Sequence, residues 1–485
     1  MEAILLSDLI LPRLVPDSGE SLQNQIAQCI QRCVLDGLLK VGHRMPSTRA
    51  LASQLKVSRI TVLRVYERLT SEGYLSASVG SGTYVADTFA QRGPRERPTP
   101  TATGISRRGA QIVSSTQGLV QLEGAFVPGV ADISQFPFHV WQRLQNRYLR
   151  KEFNMLTGYG AGGGYMPLRR ALASYLRISR GVQCEPEQVI ITAGTHQSLD
   201  LCARMLTDHG GTAATEDPCH WGIPTVLRAA GLEVLACKLD DEGVVLDEAT
   251  LAASPKLLVA TPSHQYPSGT VMSLKRRTEL LRLAHERDFW ILEDDYDSEF
   301  HYDERPLPSL QGLDTHGRVL YMGTFSKVLY PGLRMSYVVV PPALADAFAT
   351  SLAQLFRPGQ ITTHAAMADF ITSGHFAAHV RTMRGVYAER RATLLDSFSR
   401  HLGRAATLSG GRAGLHLQCH FDPALDVGAL VAEGAALKLS LRELQYYQIE
   451  AGQPNGLVLG YGGVPTEQIN EKVALLAQCH ERLMG

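Results

Sequence analysis

With 485 residues the chain is too long for one hydrophobic core, so two or three domains are expected. An apolar fraction of 45% gives ample core material, and a formal net charge of zero excludes a global positive field that would draw the chain onto nucleic acid or membrane. Any such contact must come from a local patch. The eight cysteines lack Cys-x-x-Cys pairs and histidine partners at zinc-finger spacing, so they read as reduced thiols and no metal site is expected. The first residues carry Glu2 and Asp8, without a basic leader or cleavage site, and no apolar run reaches membrane-spanning length. The expected compartment is the cytoplasm, with no membrane partner.

In chain order, Ser21 to Leu39 places Ile26, Ile30, Cys33 and Val34 on one face of an amphipathic helix. Ser47 is positioned to cap a second helix, with Leu51, Ala52 and Leu55 inward. Ser58 is positioned to cap a third, whose inner face is Val62, Val65, Tyr66 and Leu69 and whose outer face shows Arg59, Thr61, Arg64 and Arg68. Tyr74 to Val79 and Thr83 to Val85, around Gly80-Ser81-Gly82, predict a hairpin in the place of a wing. Such arginines can neutralise phosphates, or simply keep a small bundle soluble.

In order, Gly42-His43-Arg44-Met45-Pro46-Ser47-Thr48-Arg49, Val57-Ser58-Arg59-Ile60-Thr61-Val62, Glu72-Gly73-Tyr74-Leu75 and Gly82-Thr83-Tyr84-Val85 resemble the GntR-type winged helix-turn-helix. That resemblance implies an α+β DNA-binding domain over residues 1–88, with Arg49, Ser58, Arg59, Thr61 and Gly82 at DNA-contacting positions. From 89 to 118 follows a stretch rich in Pro, Thr, Ser, Gly and Arg with no apolar periodicity, expected to be a flexible basic linker. Its arginines either follow a DNA backbone or keep the linker solvated.

Over 119–485 strand-like runs alternate with helical ones: Val189–Thr192, Leu257–Ala260, Phe289–Leu292, Val319–Met322 and Tyr337–Val340. This alternation predicts a largely parallel α/β sheet with its ligand site at the carboxyl ends of the strands. Residues able to do chemistry cluster at those ends. Tyr321-Met322-Gly323-Thr324-Phe325-Ser326-Lys327 presents one lysine amid hydroxyls, with Arg334 seven positions later, an arrangement suited to a phosphorylated aldehyde. Gly194 and Thr195 open a helix and form a candidate phosphate seat. Asp294 and Tyr296 follow a buried-type strand, where a carboxylate and a phenol can hold a heteroaromatic ring.

These segments resemble the fold-type-I aminotransferases, which carry a smaller α+β C-terminal subdomain. The resemblance implies pyridoxal 5′-phosphate as cofactor, with Lys327 as its imine lysine. It assigns Asp294 to the pyridine nitrogen, Tyr296 to the phenolic oxygen, and Gly194, Thr195, Thr324, Ser326 and Arg334 to the phosphate. Tyr159 resembles the tyrosine lent to a neighbouring subunit's phosphate, which implies a homodimer. Three departures stand out. His220, with Trp221 as the alternative, takes the ring-stacking place in Asp217-Pro218-Cys219-His220-Trp221-Gly222. The asparagine usual before Pro-Thr-Gly is missing from Ser263-His264-Gln265-Tyr266-Pro267-Ser268-Gly269, leaving His264 or Gln265 to replace it. Val458 stands where amino-acid aminotransferases keep a carboxylate-binding arginine.

Together the two halves resemble the MocR family of bacterial regulators. That resemblance implies a head-to-tail, domain-swapped homodimer on repeated operator half-sites in double-stranded DNA. Its small-molecule effector would be pyridoxal phosphate or an amine joined to it as an external aldimine, with pyridoxal phosphate itself or an amine lacking a carboxylate favoured over an amino acid by the absent arginine. A working aminotransferase with an appended DNA reader is the alternative, and a cofactor-binding scaffold the third.

Overall fold

The computed structural model describes residues 6–15, 19–78, 82–87, 104–114, 123–151, 158, 160, 162–302, 307–450, 452 and 455–485. The chain divides into two compact units, Met1–Gly104 and Ile105–Gly485.

In the first unit, helices Leu22–Leu35, Thr48–Leu55 and Arg59–Ser71 each start at a serine. Ser21, Ser47 and Ser58 Oγ accept the N–H groups of Asn24, Ala50 and Thr61 at 3.3, 3.2 and 3.1 Å, satisfying donors that a helix start leaves free. Ile26, Ile30, Leu51, Leu55, Val62, Val65 and Leu69 form the core, as the spacing predicts. Strands β1 (Leu75–Ser78) and β2 (Gly82–Val85) pair antiparallel from Leu75↔Val85 to Ser78↔Gly82, giving the expected hairpin. Gly80 and Ser81 of its turn lie outside the described residues. Replacing Ser58 by alanine removes a cap, so thermal melting should show a loss of about 1 kcal/mol in this unit.

The second unit is built on eight strands: β3 (Val189–Thr192), β4 (Thr212–Asp217), β5 (Glu233–Asp240), β6 (Gly243–Val244), β7 (Leu257–Ala260), β8 (Trp290–Asp295), β9 (Val319–Thr324) and β10 (Ser336–Val339). Their order is β3-β10-β9-β8-β7-β4-β5-β6. The block β5-β4-β7-β8-β9 is parallel, while β10 runs antiparallel to both neighbours. Every position of β3, β7 and β9 is buried, as befits strands covered on both faces. Loops after β7 and β8 are held by buried charge: Arg180 donates to Asp295 at 2.7 Å and to Ser263 at 2.5 Å, and Tyr321 donates to Asp295 at 2.6 Å. Arg277, fully buried, donates to the carbonyls of Met272, Pro308 and Pro262. A rigid rim for the strand ends results.

A smaller antiparallel sheet follows, ordered β11 (Ala406–Ser409), β12 (His416–Phe421), β14 (Gly456–Gly460), β13 (Arg442–Glu443). Helices His375–Leu402 and Thr466–Met484 pack together beside it, the expected α+β subdomain. The backbone at Ala125 and Phe126 bonds to this subdomain, Gly460 N–H reaching Phe126 O at 3.0 Å. The chain then passes Gly129 at the large sheet's strand ends.

One expectation needs correction. The stretch 89–118, anticipated as an extended linker, contains a helix, Arg107–Ser114, that belongs to the second unit and lies against helix Gly222–Ala229. Ser106 Oγ caps it through Gly109 N–H at 3.1 Å. A cap and a tertiary neighbour thus stabilise a helix that apolar periodicity does not announce.

Candidate cofactor pocket and nucleic-acid interface

Lys327 lies in the turn after β9, half-buried, its Nζ donating to Gly129 O at 2.8 Å. Gly129 has φ +69°, and a Cβ there would lie 2.8 Å from Nζ, so glycine lets the backbone approach the amine. Burial pulls the amine below its ordinary pKa, with Asp297 and Asp294 pulling the other way. A larger neutral fraction makes it a better nucleophile.

Asp294, at the end of β8, lies within electrostatic reach of the Lys327 amine. Its Oδ1 is buried without a hydrogen-bond partner. Burial first, then Asp295, Glu216 and Asp297, push its carboxyl up to about 7, with Lys327 opposing them. Tyr296 Oη lies 3.1 Å from His264 Nδ1, and that nitrogen lies 3.2 Å from both carboxylate oxygens of Asp297. Gln265 is engaged elsewhere: its amide donates to Glu216, Pro218 O and Tyr266 O and its oxygen accepts from Ser268. Of the two candidates to replace the missing asparagine, His264 is therefore the one beside the Tyr296 phenol. His264, Asp297 and His416 offer ligand atoms within 4.8 Å of one another, the one compact metal-type group among the described residues. His264 Nδ1 is already hydrogen-bonded, and His416 Nε2 lies 3.1 Å from Pro267 O.

At the end of β3, Gly194 (φ +121°) caps helix Thr195–Leu206, and a Cβ on it would lie 2.7 Å from the Arg334 guanidinium. A helix start with free N–H groups, open backbone and an arginine thus meet at one place. Thr324 has another duty. Its oxygen accepts Ser326 N–H at 3.2 Å and Ser336 Oγ–H at 2.9 Å, which shapes the lysine turn and leaves half-buried Ser326 as the more accessible hydroxyl. Tyr159 lies outside the described residues.

His220 accepts Gly222 N–H on Nδ1 at 3.1 Å and stacks on Trp221 at 5.3 Å. Burial, then Lys327 and His196, drive its pKa down to about 3, so the ring stays neutral. Tyr266 packs at 5.7 Å from both His220 and Tyr296. Sequence reasoning missed Tyr266 as a pocket residue, although it directly precedes Pro267, the position the asparagine takes in its own motif.

In the first unit, Arg49, Ser58 and Arg59 are exposed and Thr61 half-buried at the start of the third helix. Ser58 and Thr61 hydroxyls lie 2.8 Å apart, and Arg59 Nε reaches Thr48 Oγ1 at 3.5 Å. Gly82 has φ +111°, and its ideal Cβ would touch Arg44 Nε at 3.4 Å. Arg68, expected on the open basic face, is instead paired with Glu72 at 2.7 Å and donates to Asn24 at 2.8 Å, because the first helix packs against that turn.

Two family descriptions match the chain: "Bacterial regulatory proteins, gntR family" over residues 22–85 and "Aminotransferase class I and II" over 130–433. It is 38% identical to the probable rhizopine catabolism regulatory protein MocR of Rhizobium meliloti, over 96% of this chain and 94% of that protein. The chain belongs to the MocR-type transcriptional regulators. Another relative of this regulator is the pyridoxine biosynthesis transcriptional regulator PdxR of Corynebacterium glutamicum, 32% identical over 94% of this chain and 95% of that one. Among solved structures, the α-aminoadipate aminotransferase LysN of Thermus thermophilus matches with TM-score 0.71 and 25% identity, over 78% of this chain and 98% of that one. The MocR-type chain therefore pairs a GntR-family DNA reader with an aminotransferase fold. No helix among its described residues is long and apolar enough to cross a membrane.

Proposed function

We propose that this regulator binds pyridoxal phosphate at Lys327 and changes its grip on operator DNA when that site is filled, by the cofactor alone or by an amine joined to it. The observation that carries the reading is the buried, unpartnered Asp294 Oδ1 within electrostatic reach of Lys327. A cationic ring N–H is the partner such a carboxylate lacks. When bound, pyridoxal phosphate supplies an aldehyde that condenses with a primary amine.

The chain's own residues do the rest. Arg334, Gly194, Thr195 and Ser326 hold the phosphate, His220 covers the ring face, and Tyr296, backed by His264, meets the phenolic oxygen. Tyr159 completes the phosphate site of a partner copy in a cytoplasmic head-to-tail homodimer, which carries two winged helices to repeated half-sites. Only a ligand with different affinities for two protomer arrangements can shift DNA affinity.

Fluorescence anisotropy with DNA from upstream of the protein's own gene tests this. Operator affinity should change at least ~10-fold on adding pyridoxal phosphate. Equal affinity with and without it rules the reading out. Arg59→Ala should weaken operator binding by about 1–3 kcal/mol, or reduce the slope of log K against log salt by about one if the residue meets phosphate.

A working aminotransferase is the second reading, favoured by the intact Lys327–Asp294–Tyr296 set. Against it stands Val458, fully buried where an orienting arginine would be. Sustained turnover of an amino donor and a keto acid would favour the enzyme.

A further inference from the structure

Beside His220 and Tyr296 the candidate site is flanked by two phenols, Tyr266 and Tyr447. Tyr266, Leu444, Tyr447 and Val458 form one buried cluster, against which Trp221, Tyr296 and Tyr446 pack. Tyr266 Oη donates to Tyr447 Oη at 3.1 Å, and the two rings meet edge to face at 5.2 Å. The Tyr447 segment is tied to the end of β4, the strand leading to His220. Cys219 N–H donates to Tyr447 O at 2.9 Å, and Asp217 accepts from Ile449 and Glu450 N–H at 2.8 and 3.1 Å. The phenol pair is therefore fixed in place.

In amino-acid aminotransferases the position before this proline and the position of Val458 carry the asparagine and the carboxylate-binding arginine. Here a large ring and a valine occupy both, within one buried cluster. A carboxylate brought there would lose its water and meet no guanidinium from β14, a large penalty. The cation opposite Val458 in register, Arg442 of β13, stacks over the Tyr446 ring at 5.2 Å, and its charge reaches Tyr266 and Tyr447, opposing the effect of burial on both phenols. Burial raises both phenols, Tyr447 to about 12, so neither ionises at working pH.

We infer that Tyr266 and Tyr447 plug the seat that a substrate α-carboxylate needs, so that the pocket accepts primary amines without an α-carboxylate and rejects α-amino acids. The inference rests on the cofactor reading above and adds the residues that set selectivity.

The test uses full-length protein loaded with pyridoxal phosphate. Ethylamine is titrated against L-alanine, and 3-methylbutylamine against L-leucine, by cofactor absorbance and by calorimetry. Wild-type protein should bind each amine at least ~10-fold more tightly than the matching amino acid. Val458→Arg alone should keep that order, because Tyr266 still fills the seat, whereas Tyr266→Asn/Val458→Arg should reverse it through a bidentate arginine–carboxylate pair. Should the arginine variants melt early, Tyr266→Ala is read instead, with the expected result that the gap narrows at least ~5-fold.

A wild type that binds alanine as tightly as ethylamine, or that responds to neither, overturns the inference. So does Val458→Arg acting alone, or an unchanged gap in Tyr266→Ala. A protein that takes up no cofactor shows no cofactor band at all and overturns the underlying reading as well. A normal band without amine preference overturns only the plug.

Discussion

Lys327→Ala protein should bind operator DNA with one affinity whether or not pyridoxal phosphate is present, while the wild type shifts at least ~10-fold. The Lys327 amine lies within electrostatic reach of Asp294 and Asp297, and burial lowers its pKa toward the nucleophilic form. Its hydrogen bond lies within the second unit, where Gly129 O accepts from Nζ. Alanine should therefore remove the covalent link without disturbing the winged helix, and basal operator affinity should stay within about twofold. Anisotropy with and without cofactor reads both quantities. A variant that keeps the full cofactor response would sink the proposed sensing route.

Asp294→Asn should reduce affinity for pyridoxal phosphate by about 10–100-fold, since an amide cannot balance a cationic ring nitrogen. The same substitution should stabilise the cofactor-free protein in a pH-dependent way. Folding raises the Asp294 pKa from 3.8 to about 7. Between those values the folded state binds more protons than the unfolded one, so stability falls as pH rises through that window and then levels off. The asparagine variant lacks this loss. Its melting advantage over wild type should be small at pH 4, grow to on the order of 2 kcal/mol by pH 8, and disappear when cofactor is bound. Calorimetric melting at both pH values checks it; an advantage that shrinks toward pH 8 would contradict the assigned environment.

Sequence by itself determined the parts whose signals are local. Ser47 and Ser58 cap helices three residues ahead of the N–H groups they accept, and the inward faces of those helices follow a 3.6-residue period that neighbours in the chain suffice to write. The strand runs ending at Lys327 and Asp294 are read in the same way, as is the helix start after Gly194. Only the tertiary structure decided contacts between distant residues: Gly129 O on the Lys327 amine across 198 positions, and Tyr266 on Tyr447 across 181. It also showed that Gln265 and Thr324 are engaged, that Arg68 is paired, and that Arg107–Ser114 is helical. The reason is physical. Caps and periodicity depend on a few adjacent residues, whereas which side chain closes a pocket wall depends on strand register and on the packing of two sheets that meet only once the chain has folded.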